Sequence, residues 1–219
     1  MIAWAWGISR IIDVLEQVPE ADIDPTRIAV TGCSRDGKGA LMAGAFDERI
    51  VLTIPQESGA GGSASWRVSQ SQFDQGENVQ TLANAAAEQP WFRSTFRNDF
   101  GTDVPRLPFD HHTLMGMVAP RALLVLDNRI DWLGIDSTYT AGSIAHAIWD
   151  AFGIPDRMGY WQTGGHTHCE FQAQQRDILE AYVKKSLVGD GTDDTNMLRA
   201  ENATADLDYW MEWTPPDLE

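Results

Sequence analysis

Ser34, in the segment TGCSRDGKGA, is the residue of this chain whose setting first suggests chemistry. A serine held at a strained turn between a strand and a helix, with small neighbours that let the backbone fold tightly, is a nucleophile elbow. Gly32 and Ser34 fit its G-x-S-x-G pattern, but Asp36 stands where the second glycine belongs and Gly37 follows it. Read locally, Ser34 is equally suited to cap the helix behind it, because serine is a favoured N-cap. A hydroxyl is a weak nucleophile near neutral pH and needs an imidazole base, held in the right tautomer by a carboxylate. Glu57 in PQESGAGG and His168 in GGHTHCEF are the candidates, in the chain order Ser, Glu, His expected of an α/β-hydrolase. His166 rivals His168.

The two cysteines adjoin these candidates: Cys33 precedes Ser34 and Cys169 follows His168. If the elbow and the histidine loop line one site, the pair comes within reach of the roughly 5.5 Å Cα separation a disulfide prefers. Such a bridge implies export to an oxidising compartment, and two buried free thiols are the alternative. Arg35 follows the serine, so its backbone N–H is placed to donate to an oxyanion and its guanidinium to add positive charge. Lys38 adds a second cation to a helix N-terminus, where the helix dipole disfavours it, so an anionic or electron-rich partner is expected there. His111 and His112 are adjacent and point apart, with no further ligands to complete a tetrahedral set, so no metal is expected. His146 reads as a helix residue without a catalytic role.

These groups need a scaffold. The 219 residues are 43% hydrophobic and 22% charged, enough for one large globular domain. A formal net charge of −16 argues against nucleic acid as partner, because phosphate binding needs Lys and Arg. No run approaches the roughly 18 apolar residues of a membrane span. Nine Trp are many for this length and suit stacking on sugar faces, although most should be core. Apolar spacing predicts an amphipathic helix over 3–17, and β-prone runs lie at 27–31, 50–54, 122–126 and 157–162. Helices are expected at 36–46, 80–88, 137–152 and 170–186. The alternation predicts an α/β fold with a parallel sheet and helices on both faces, a three-layer αβα sandwich. About four strands are visible, and the elbow arrives after a single helix, so the N-terminal strands of a hydrolase of this architecture are missing from the reading. The domain is placed at 1–188, the C-terminal portion of a catalytic domain, and 189–219 reads as an acidic extended tail.

Taken together, TGCSRDGKGALMAGAFDERIVLTIPQESGAGG, WRVSQ, PWF, LPFDHH, APRALLVLDN, DWLG and GGHTHCEF resemble the glucuronoyl esterases of carbohydrate esterase family 15. The likeness runs from Trp4 to about Leu187. It implies an α/β-hydrolase that cleaves the ester between 4-O-methyl-D-glucuronic acid of glucuronoxylan and lignin alcohols, needs no cofactor or metal, and acts as a secreted monomer on a lignin–carbohydrate ester. It makes Ser34 the nucleophile, Glu57 the acid, His168 the base and Arg35 the oxyanion holder, joins Cys33 to Cys169, and assigns the sugar to Lys38, Gln80, Glu88 and Trp132. Some relatives place the acid after a later strand, which makes Asp127 or Asp131 the fallback. Fungal relatives carry further cysteines near Ser65 and Thr138, which this chain lacks. An acetyl xylan esterase of the same fold and a non-catalytic carbohydrate-binding remnant are the rival readings.

Overall fold

The computed structural model describes residues 1–87 and 91–218. The chain opens with helix α1 (Ile2–Gln17), strand β1 (Ile28–Cys33), helix α2 (Arg35–Phe46) and strand β2 (Ile50–Gln56). Four short helices follow: α3 (Trp66–Asp74), α4 (Leu82–Ala87), α5 (Ser94–Phe100) and α6 (His111–Gly116). Strand β3 (Ala122–Asn128), helix α7 (Ile135–Ala151), strand β4 (Met158–Thr163) and helix α8 (Arg176–Val183) come next, and strand β5 (Met197–Ala200) and helix α9 (Leu207–Trp210) end the sequence of elements. All strand pairs are parallel, in the order β1-β2-β3-β4-β5.

Parallel strands covered on both faces read as unbroken apolar runs, and ALLVL in β3 is one. Leu123 and Val125 face Leu41 of α2, Met115 of α6 and Ala141, Ala145 and Trp149 of α7. On the opposite face, Leu124 and Leu126 of β3 join Leu52 and Ile54 of β2 against Ile178 and Tyr182 of α8. The three αβα layers follow from this two-sided burial. β1 is an edge strand with Ala29 and Thr31 exposed. α1 buries Ala5 and Ile12 against Ala40 and Ala43 of α2 and Ile50 of β2, while Trp6, Ile11 and Val14 face outward. Arg49 ties α1 to the α2–β2 turn, donating to Asp13 Oδ1 at 2.8 Å and Asp47 Oδ2 at 2.7 Å.

Three expectations need correction. The segment after Gly189 is not all an extended tail, because β5 pairs with β4 along Gly159–Gln162. β5 has an exposed Leu198 and no alternating pattern, and it is held by tertiary contacts: Arg199 lies 4.5 Å from the Trp161 ring centroid and Tyr182 Oη donates to the Thr195 carbonyl. The last long helix begins at Arg176 rather than Glu170, which leaves Gly164–Gln172 as a loop free to shape the site. The helix expected at 80–88 starts at Leu82, so Gln80 lies in the loop before it. Asp110, unremarked in the sequence, anchors the helices above the sheet. Its buried carboxylate accepts from Trp66 N (2.8 Å), Ser65 Oγ (2.8 Å) and His111 N (2.7 Å), which fixes the starts of α3 and α6.

Candidate active site

Parallel strands end together, and loops beyond their carboxyl ends are where α/β sheets collect functional groups. Cys33 lies opposite Gln56, Gln56 opposite Leu126, and Asn128 opposite Thr163, so the four turns that follow β1 to β4 share one edge. Ser34 sits in the first of them at φ 58° and ψ −123°, a backbone strain of the kind concentrated at functional turns. Its N–H donates to Gln56 O at 2.9 Å, and its side chain makes no capping bond to α2, so the capping alternative fails. The imperfect motif is explained by sterics. A Cβ on Gly32 would come within 2.5 Å of Asp36 O, and one on Gly37 within 2.7 Å of Gln56 O. The tight approach therefore falls on residues 32 and 37, and Asp36 is tolerated between them.

Glu57, at φ 45° immediately after β2, is 1% exposed and surrounded by donors. Its Oε2 accepts from His168 Nδ1 and from the Cys169 backbone N–H, both at 2.7 Å. Its Oε1 accepts from Gln56 Nε2 at 3.3 Å, and His166 Nδ1 lies 3.7 Å away. Because Nδ1 of His168 is engaged with the carboxylate, Nε2 is left as the basic nitrogen; it is buried and has no hydrogen-bond partner among the described residues. Asp127 and Asp131 do not make this contact. Asp127 bonds Ser63 Oγ and Asn128 N, and Asp131 is exposed in a turn. His166 is engaged elsewhere too: its Nδ1 donates to Thr167 O at 3.0 Å and its Nε2 lies 3.1 Å from Thr163 Oγ1.

The Cys33–Cys169 disulfide is present, with a Cα separation of 5.7 Å and a sequence separation of 136. In the chain-entropy account a loop of that length contributes about 5 kcal/mol by constraining the unfolded chain. It also binds the Ser34 turn to the His168 turn and holds Cys169, at φ 68°, where its N–H meets Glu57. Cys33, Cys169, Glu57 and His168 bring ligand-type atoms within 4.8 Å of one another, but both sulfurs are joined in the disulfide and offer no thiolate.

Two buried carboxylates thus stand close together with unequal support. Burial, followed in strength by the opposing pull of its own hydrogen bonds and then by the charge on Glu57, pushes Asp127 up to about 7. An acid whose folded value exceeds its unfolded one destabilises the fold as it ionises, so the contribution of Asp127 to stability is greatest below about pH 4 and declines toward pH 7. The full decline attributable to this group is about 4 kcal/mol. Asp127→Asn removes it. The difference in Tm between variant and parent should shift in the variant's favour as pH rises from 4 to 8, and a pH-independent difference in thermal unfolding would contradict the assignment.

Of the other anticipated residues, Lys38 is buried and donates from Nζ to Ser58 O at 2.5 Å. Both Lys38 Nζ and Arg35 Cζ lie over the Trp91 ring, at 5.3 and 5.5 Å from its centroid. Trp91 stood in the sequence only as part of the segment PWF, with no role attached to it. Trp132 stands edge-on to His168 at 5.2 Å, and its carbonyl accepts from Gln80 N at 3.0 Å, so these two converge on the histidine side. Glu88 lies outside the described residues. His111 is buried and donates to Gly62 O, and His146 bonds Asn196 at 2.8 Å; each has a structural partner.

Comparison with known proteins bears on this geometry. A family model described as glucuronyl esterase of fungi matches residues 1–153. The chain is 52% identical over its whole length to the 4-O-methyl-glucuronoyl methylesterase of Hypocrea jecorina, covering 47% of that protein. It therefore spans about half the length of the curated relatives it matches. Among solved structures, the glucuronoyl esterase catalytic domain from Hypocrea jecorina superposes with TM-score 0.95 at 52% identity, over 99% of this chain and 59% of that one. A serine-to-alanine variant of the Sporotrichum thermophile enzyme, in complex with methyl 4-O-methyl-β-D-glucopyranuronate, superposes with TM-score 0.94 at 42% identity over the same shares.

Proposed function

Since the chain belongs to the glucuronoyl esterase family and has its α/β-hydrolase fold, we propose that it carries the catalytic serine, acid and base of an esterase acting on 4-O-methyl-D-glucuronate esters of xylan with lignin alcohols. The observation that supports it most is the 2.7 Å contact between Glu57 and Nδ1 of His168, beside an unstrapped Ser34 side chain. With Nδ1–H committed to the carboxylate, Nε2 of His168 takes the proton of Ser34 as its Oγ bonds to the ester carbonyl carbon. The tetrahedral oxyanion is held by the backbone N–H and guanidinium of Arg35. As it collapses, the alcohol leaves with the proton from Nε2. Water, deprotonated by the same nitrogen, then attacks the acyl-serine and releases the uronate. Lys38, Gln80, Glu88 and Trp132 hold the sugar, the amide and charged groups through its hydroxyls and the indole through its ring face. The disulfide fits an extracytoplasmic setting.

The rival, a carbohydrate esterase with acetyl preference, predicts a different ranking of substrates. Measured on the protein as its gene encodes it, kcat/KM for methyl 4-O-methylglucuronate should exceed that for acetylated xylose by at least about 100-fold, more than one misplaced contact supplies. An equal or inverted ratio would favour the rival, and binding of the uronate without turnover of either ester would favour the non-catalytic reading.

A further inference from the structure

Trp132 and Gln80 also bound a second space. An open-sided hollow of about 330 Å³ lies against them, walled by Phe73 at the end of α3, by Glu77 and Asn78 in the loop that follows, and by Asn84 in α4. Its floor is organised. The loop is pinned by Gln80 N donating to Trp132 O at 3.0 Å and by Gln72 Nε2 donating to Glu77 Oε2 at 2.7 Å. Two aromatic side chains remain uncovered beside it, Phe73 at 49% and Trp132 at 40% exposed. The polar groups are of both kinds. Asn84 spends its carbonyl oxygen on Thr81 N and Oγ1, at 3.1 and 2.8 Å, so its amide NH2 is what it offers a ligand. Glu77 commits one carboxylate oxygen to Gln72, which leaves the other as an acceptor.

Exposed ring faces flanked by a few amide and carboxylate groups suit a neutral, hydroxyl-rich ring, which lays its C–H face on an aromatic surface and hydrogen-bonds at its rim. An anion is disfavoured, because among the described residues the one charged group in the wall is the Glu77 carboxylate. Ser34, Arg35 and His168 do not line the hollow, so an alcohol leaving the ester carbonyl does not start from it. Gln80 and Trp132, by contrast, belong to the proposed uronate site, so whatever fills the hollow adjoins the bound uronate.

We propose that this hollow is a subsite for the neutral pentose residue of the xylan backbone to which the uronate is attached, with Phe73 as its platform. The inference rests on the uronate-esterase reading, and the experiment separates the two. Phe73 is exposed, so Phe73→Ala should fold normally. Two methyl esters are compared, of 4-O-methylglucuronic acid alone and of the same acid linked to xylotriose, together with calorimetric titration of xylotriose itself. In Phe73→Ala, KM for the xylotriose-linked ester should rise about 5–20-fold and xylotriose binding should weaken at least 5-fold, while kcat and KM for the simple ester change by less than 2-fold. Equal rises for both esters would reduce Phe73 to a structural role and overturn the subsite. So would unchanged values throughout, or a change seen only when a benzyl ester replaces the methyl ester, which would place the alcohol there. Absence of turnover of the simple ester by the parent protein would sink the activity reading alone, because xylotriose titration tests the hollow without turnover.

Discussion

Ser34→Ala should lower kcat for methyl 4-O-methylglucuronate on the order of 10⁶-fold, the loss expected when the nucleophile of a coupled triad is removed. Binding should survive. The side chain makes no capping bond, so no backbone group is orphaned by its removal. The strained φ of 58° costs alanine about what it costs serine, so the elbow should keep its shape and Tm should stay within about 2 °C. Sugar contacts proposed for Lys38, Gln80 and Trp132 arise from other elements, and Kd for the uronate ester should change less than 3-fold. The serine-to-alanine variant of the Sporotrichum thermophile enzyme forms such a complex. Single-turnover kinetics with calorimetric binding checks both halves. Wild-type turnover by the variant would remove Ser34 from the mechanism, and loss of both turnover and binding would mean the substitution had damaged the fold.

The strands and the three groups of the site were readable in the sequence for different reasons. β3 and β2 are buried on both faces and so appear as unbroken apolar runs, which no exposed loop imitates. Ser34, Glu57 and His168 are reactive types set directly after such runs or in glycine-rich loops, so their position at one sheet edge followed from the parallel topology. Glu57 rather than Asp127 was not decided by pattern, since both come just after apolar runs, 50–54 and 122–126. What separates them is one turn of backbone: the positive φ of Glu57 swings its carboxylate to His168, whereas Asp127 still lies within β3 and turns to Ser63. α3, α5 and α6 escaped notice because they span six to nine residues, too few for a helical period to stand out, and are held by Asp110 and by the cluster of Trp66, Leu82 and Val104. Strand β5 escaped because its four residues are specified by what they pack on, Trp161 above all.

Glu57→Gln should cut kcat by about 10³–10⁴-fold, with KM for the uronate ester nearly unchanged. The glutamine is isosteric, so its oxygen can still accept from Cys169 N and hold the turn. The same oxygen meets Nδ1 of His168, so the amide keeps that contact only as a neutral and weaker acceptor, while its NH2 falls where Oε1 accepted from Gln56. The charge that would stabilise the imidazolium is lost as well. A second readout distinguishes this account from simple disruption. Because the Glu57 charge helps to raise Asp127, its removal should let folded Asp127 ionise at lower pH, so the decline of Tm attributed to Asp127 should still start near pH 4 but level off at lower pH, and be smaller, in Glu57→Gln than in the parent. If Asp127 were the working acid instead, the ranking would reverse, with Asp127→Asn losing activity and Glu57→Gln nearly retaining it. The contacts favour the first outcome, since Nδ1 of His168 meets Glu57 and the bonds of Asp127 run to Ser63 and Asn128.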